Sequence, residues 1–152
     1  MWTEIIVPSS KSVVVPIPLT VDDGAYPPEK ARSTDAAWDI RAREGVTSKG
    51  NAIASVSTGL HVYIPLGWYG QLLTRSSMAA RGLVVIGGVI DAGYTGEIIV
   101  MLGNVGPVTR VVNAGDKIAQ LVILPVPTVM WKQTEALEQT ERGADGFGST
   151  GA

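Results

Sequence analysis

Short runs rich in valine and isoleucine recur along this chain between glycines and prolines, and few segments keep helical spacing of apolar residues over about ten positions. The runs are Ser12 to Leu19, Ile53 to Val56, Gly59 to Ile64, Trp68 to Thr74, Gly96 to Leu102, Val108 to Val112 and Lys117 to Pro125. β-Branched side chains suit a pleated, half-buried surface, while glycine and proline end such runs by supplying turns. Eighteen glycines and nine prolines provide for many of them. The pattern predicts an all-β protein, a jelly-roll-like β-sandwich, in which Ser76 to Arg81 is a candidate short helix.

A chain of 152 residues has room for a single core and therefore one domain. Only 17% of its residues are charged against 45% hydrophobic. With a mean hydropathy of +0.23, it carries more apolar surface than a monomer of this size is expected to bury, which predicts an oligomer. A net charge of −2 without a basic run lacks the electrostatic footprint of a protein that binds polymeric nucleic acid. Cysteine is absent, excluding disulfides, thiolate nucleophiles and cysteine-ligated metals, and one histidine, His61, cannot form a histidine cluster. No apolar run reaches membrane-spanning length, and the N-terminus lacks the features of a secretion signal. The expectation is an intracellular protein, cytoplasmic or nuclear, with no membrane partner.

The C-terminal stretch Arg142-Gly143-Ala144-Asp145-Gly146-Phe147-Gly148-Ser149-Thr150-Gly151 combines the means to hold a phosphate and a flat ring. Glycines let backbone N–H groups approach an anion, arginine offers a planar fork of donors, hydroxyls donate to phosphate oxygens, and a phenyl face stacks on a base. Gly143, Gly148 and Thr150 partly imitate a P-loop, but Ser149 stands at the lysine position and no helix can follow. The expected division is a body over residues 1–133, then a linker and flexible, glycine-rich C-terminal arm over 134–152 that acts as a nucleotide lid. Thr134 to Arg142 reads as the linker, with a short helix as the alternative.

Three interior segments have chemical potential. Arg75, Ser76 and Ser77 stand at a strand end leading into the candidate helix, where they could bind an anion or merely cap the helix with a surface arginine nearby. Gly87 to Gly96 brackets Asp91 and Tyr94 with glycines, as in a hairpin with bare backbone facing a ligand, or as in an ordinary turn. Gly115 to Gln120 is a turn feeding a strand.

Taken together, Ala36 to Ile40, Pro65 to Ser77, Gly88 to Gly96, Gly115 to Gln120 and Arg142 to Gly151 resemble the five ordered motifs of the trimeric deoxyuridine triphosphatases, the dUTPase family. Two departures stand out: Ala37-Trp38 where Gly-Tyr is usual, and Lys117 where arginine is usual. The resemblance implies a jelly-roll homotrimer with active sites at subunit interfaces, each closed by a neighbour's tail. It implies a dUTP diphosphatase in which Asp91 activates a water for attack on the α-phosphate. By the same resemblance Tyr94 packs against deoxyribose, Gly88, Ile90 and Tyr94 belong to the uracil-reading hairpin, and Arg75, Ser76, Ser77 and Gln120 contact phosphates. Asp39 helps hold Mg2+ through water, Arg142, Ser149 and Thr150 reach the γ-phosphate, Phe147 lies over uracil, and Gly148 is a further substrate-binding residue.

Two alternatives remain. A dCTP deaminase shares the fold and resembles the chain over Arg75 to Gly82 and Ile90 to Gly96, but Met101 stands where those enzymes carry their catalytic glutamate, and methionine transfers no proton. The other is a noncatalytic nucleotide sensor on the same scaffold.

Overall fold

A computed structural model describes residues 14–141, 143 and 144. Among them, in chain order, are strands β1 (Leu19–Val21), β2 (Trp38–Arg41), β3 (Val46–Ser48), β4 (Ala52–Val62) and β5 (Trp68–Leu73), then a helical turn, α1 (Ser76–Ala79). Strands β6 (Leu83–Val85), β7 (Val89–Ile90), β8 (Glu97–Asn104), β9 (Arg110–Val112) and β10 (Lys117–Pro125) follow. Two antiparallel four-stranded sheets, ordered β1-β4-β8-β6 and β2-β10-β5-β7, make the sandwich, and β3 pairs with β9 as a separate ribbon.

The core lies between the sheets. Val56, Leu60, Val62, Val100 and Leu102 from the first join Ile40, Leu72, Ile90 and Leu121 from the second in one buried cluster. Strand β8 shows the period of two that produces it: Ile98, Val100 and Leu102 point inward while Ile99 and Met101 face out. The expected all-β sandwich is what forms.

Several boundaries differ from the sequence reading. Residues 14–18 form no strand, because Pro16 and Pro18 lack the N–H groups a ladder needs, so pairing starts at Leu19. The runs Ile53 to Val56 and Gly59 to Ile64 fuse into β4, whose register against β8 slips between Ser57 and His61. Gly59, at φ +64°, sits in this bulge. Strands β2, β3, β6 and β7 are too short to show a hydrophobic period and owe their existence to partners distant in sequence. Residues 134–141 are exposed and form neither helix nor strand.

Candidate active site

Antiparallel pairing brings β2, β10 and β5 side by side, with Asp39 opposite Gln120 and Gln120 opposite Leu73. Beyond Leu73 the chain turns through Thr74 into α1. Arg75 is the residue preceding that helix, in extended conformation, and no side chain caps it. The hydroxyls of Ser76 and Ser77 are therefore not consumed as helix caps, and both serines are exposed.

Arg75 Nε donates to Asp39 Oδ1 at 2.7 Å, and its Nη1 donates to Ser77 Oγ at 3.2 Å and to the Lys117 carbonyl at 3.3 Å. Lys117 Nζ lies 2.8 Å from both Asp39 Oδ2 and Glu29 Oε1, and Arg41 Nη2 reaches the same Glu29 oxygen at 2.5 Å. Three cations thus surround two carboxylates, leaving one positive charge in excess. Bonds to Asp39 and then Glu29 push the Lys117 ammonium above the usual lysine range, while Lys117 and then Arg41 hold Glu29 below the usual carboxylate range. Gln120 Nε2 donates to the Thr74 carbonyl at 3.2 Å, while Thr74 Oγ1 accepts the Val85 amide at 2.8 Å. This cluster can receive an anion.

The second cluster surrounds the β7 hairpin. The Gly88 carbonyl accepts the Leu72 amide at 2.7 Å, and at φ +108° Gly88 lies so close that a Cβ would stand 2.7 Å from the Leu72 carbonyl oxygen. Only glycine suits that approach. Ile90 follows with its side chain buried in the core, leaving backbone as its means of meeting a ligand. Asp91 comes next, exposed, with its carbonyl accepting the Tyr94 amide at 3.2 Å, and the Gly93 amide donates to the Ile64 carbonyl at 3.0 Å. Tyr94 Oη donates to the Glu97 carbonyl at 2.9 Å. Gly88, Ile90, Asp91, Tyr94, Ile99 and Met101 help wall a cavity of about 350 Å³, a size that suits a small organic ligand. A larger groove of about 390 Å³ lies between Val15, Ile17, Trp38 and Trp68, and among the described residues no ionisable side chain lines it.

The expected residues thus fall into two groups within one chain. Asp91, Tyr94, Gly88 and Ile90 meet at the cavity; Asp39, Arg75, Ser77 and Lys117 meet at the anion cluster, beside Gln120 and Ser76, and none of these lines the cavity. Arg142, Phe147, Gly148, Ser149 and Thr150 lie outside the described residues. For Mg2+, no group of three His, Cys, Asp or Glu side chains that could hold a metal occurs among the described residues. Both Asp39 oxygens already accept from cations, so its spare lone pairs fit an outer role, accepting from metal-bound water. Sequence reasoning missed Glu29, Arg41, Thr74 and Glu97, because no local motif marks a residue whose partners come from other strands.

The sequence model of the dUTPase family matches residues 23–151. The chain belongs to the dUTPase family. Curated dUTPase relatives agree: the deoxyuridine 5'-triphosphate nucleotidohydrolase of Cutibacterium acnes is 42% identical, covering 91% of this chain and 92% of its own length, and that of Nocardia farcinica is 41% identical, covering 92% and 88%. Among solved structures, the Staphylococcus bacteriophage 80alpha dUTPase with dUPNHPP superposes with a TM-score of 0.84 at 30% identity, covering 91% of this chain and all of that one. A mutant dUTPase from phage phi11 of S. aureus, solved for the coordination of a structural Mg(II) ion, gives a TM-score of 0.75 at 30% identity, covering 82% of this chain and all of that one.

The family membership expected from five ordered motifs is borne out. Both departures from the dUTPase pattern have local explanations. Lys117 places one ammonium between two carboxylates, which a compact point charge does well, and Arg75 supplies the planar fork. Trp38 is partly exposed, covered by Lys30 Nζ at 4.9 Å from the ring centre, and meets the apolar groove away from the cavity. Among the described residues no helix is long and apolar enough to cross a membrane.

Proposed function

We propose that this chain hydrolyses dUTP to dUMP and pyrophosphate, with Asp91 as the base that activates the attacking water. The observation that carries the assignment is the state of the carboxylates. Asp39 and Glu29 are ion-paired, and Glu97, on the cavity wall, has one oxygen taken by three donors. Asp91 borders the cavity with its carboxylate making no hydrogen bond or ion pair among the described residues. A free carboxylate beside a ligand pocket can accept a proton. In the reaction the water oxygen bonds to the α-phosphorus, its proton passes to Asp91, and the bond from the α-phosphorus to the bridging oxygen breaks to release pyrophosphate.

Arg75, Ser76, Ser77 and Gln120 take the phosphate chain, with Asp39 holding the guanidinium in place. Arg142, Ser149 and Thr150 of the arm add contacts at the γ-phosphate, and Phe147 with Gly148 covers uracil. Asp39 would help hold Mg2+ through water, and the ion would supply charge neutralisation. Tyr94 packs against deoxyribose where a 2′-hydroxyl would need room.

The separation of the two clusters supports a homotrimer with composite sites at subunit interfaces. So does the outward face of β4 and β8, where Ile53, Ile99 and Met101 are exposed, Ile53 by 58%. Past β10, Val129, Met130 and Trp131 are exposed as well, Trp131 by 93%. Deamination of dCTP is not favoured, because Met101 lines the cavity and Glu97, held below the usual carboxylate range chiefly by Ser57, is a poor proton donor.

Incubation with dUTP and Mg2+ in isotopically labelled water tests the proposal. The label is expected in dUMP. Label in pyrophosphate, or turnover of dCTP to dUTP with dUTP left intact, would overturn it. Asp91→Asn should lower turnover by about 10²- to 10⁴-fold while retaining dUPNHPP binding.

A further inference from the structure

We propose that Glu97 is a positioning residue for sugar selection, fastening Tyr94 to the bulge of β4. The proposal rests on the reading that Tyr94 packs against the deoxyribose. At the bulge, Thr58 and Gly59 have no ladder partners on β8, and buried amides need acceptors. Glu97 Oε1 supplies one, accepting from Thr58 N at 3.1 Å, Gly59 N at 2.8 Å and Ser57 Oγ at 2.5 Å.

The bulge is held from its other side too. The Gly59 carbonyl accepts the Asp22 amide, and the Ser57 carbonyl accepts the Arg43 amide, both at 2.9 Å. A Cβ on Gly59 would stand 2.6 Å from the Ala25 methyl carbon, so the loop before β2 packs directly on it. The carboxylate of Glu97 is thereby tied to a rigid element, and the carbonyl of the same residue accepts the Tyr94 hydroxyl. Gly96 lies beneath the phenol, where a Cβ would stand 2.9 Å from Tyr94 Cε2. Glu97 thus carries the position of the bulge to the ring that faces the sugar. His61, opposite Glu97 in the ladder, steadies the same loop, with Nδ1 3.2 Å from the Thr95 carbonyl.

The ratio of kcat/KM for dUTP to that for UTP tests this, because general destabilisation lowers both together. Glu97→Leu is expected to narrow the ratio about tenfold, the effect of losing a charge-assisted hydrogen-bond set. Glu97→Gln retains the accepting oxygen and should stay within about twofold of the parent ratio. Ser57→Ala removes one donor and should narrow the ratio partway; it carries the test if Glu97→Leu does not fold. Glu97→Leu added to Tyr94→Ala should cause no further narrowing. If Tyr94→Ala narrows the ratio while Glu97→Leu, or Ser57→Ala in its place, leaves it unchanged, Glu97 is not a positioning residue. An unchanged ratio in Tyr94→Ala instead rejects the sugar reading itself.

Discussion

Asp39 anchors Arg75: Oδ1 accepts from Nε at 2.7 Å, across 36 residues of sequence, and Asp39 is only 16% exposed. The bond uses one edge of the guanidinium and holds the arginine in one orientation, which would lower the cost of ordering it in the phosphate-binding role proposed for it. The other Asp39 oxygen belongs to Lys117, so one carboxylate organises two cations.

Asp39→Ala is therefore expected to raise KM for dUTP about tenfold with a smaller change in kcat, since it loosens the arginine proposed to take the phosphate chain and leaves Asp91 in place. Steady-state kinetics at saturating Mg2+ check this. A fall in kcat alone would remove the anchoring role.

Gly88→Ala should disrupt the hairpin, because φ +108° is hostile to alanine and the new Cβ would press on backbone, the Leu72 carbonyl. The expected cost is about 1 to 3 kcal/mol in a denaturant titration. Weaker dUPNHPP binding should accompany it, since the same hairpin walls the cavity.

The Glu29–Lys117 pair predicts a pH window. Glu29 lies below its ordinary 4.5 when folded, so its contribution is present above that value and fades as pH falls through the depressed pKa. Lys117 lies above its ordinary 10.5, so its contribution is present below that value and fades as pH rises through the raised pKa. The Tm difference between the parent and Glu29→Gln should be level between these limits and shrink on the acid side. A difference that grows on acidification would contradict the pairing.

Ending the chain after Glu141 should leave the proposed trimer intact and remove most activity, because the base stacking of about 1 to 3 kcal/mol and the phosphate contacts proposed for the arm would be lost. If a neighbour supplies the arm, mixed trimers of Asp91→Asn and arm-deleted chains should recover turnover, as some sites regain both parts. Absence of recovery in verified mixed trimers would place each arm over its own subunit's site or outside catalysis.

The sequence by itself determined the β class and the chemistry of the motifs. β-Branched runs and turn residues are local signals, and so are the neighbours of Asp91 and Arg75. Strand β10 was legible from Lys117 to Pro125 because its composition suits a strand throughout. Tertiary structure decided the rest. That Lys117 joins Glu29 to Asp39 depends on β2 lying beside β10, and that Glu97 braces Tyr94 depends on a bulge in β4, nearly forty residues earlier in the chain. Even the merging of two runs into β4 needed β8 as a template. Periodicity reports which face of a segment is buried; strand pairing selects which distant side chain completes a charge or hydrogen-bond set, and that choice is made by packing across the sheet.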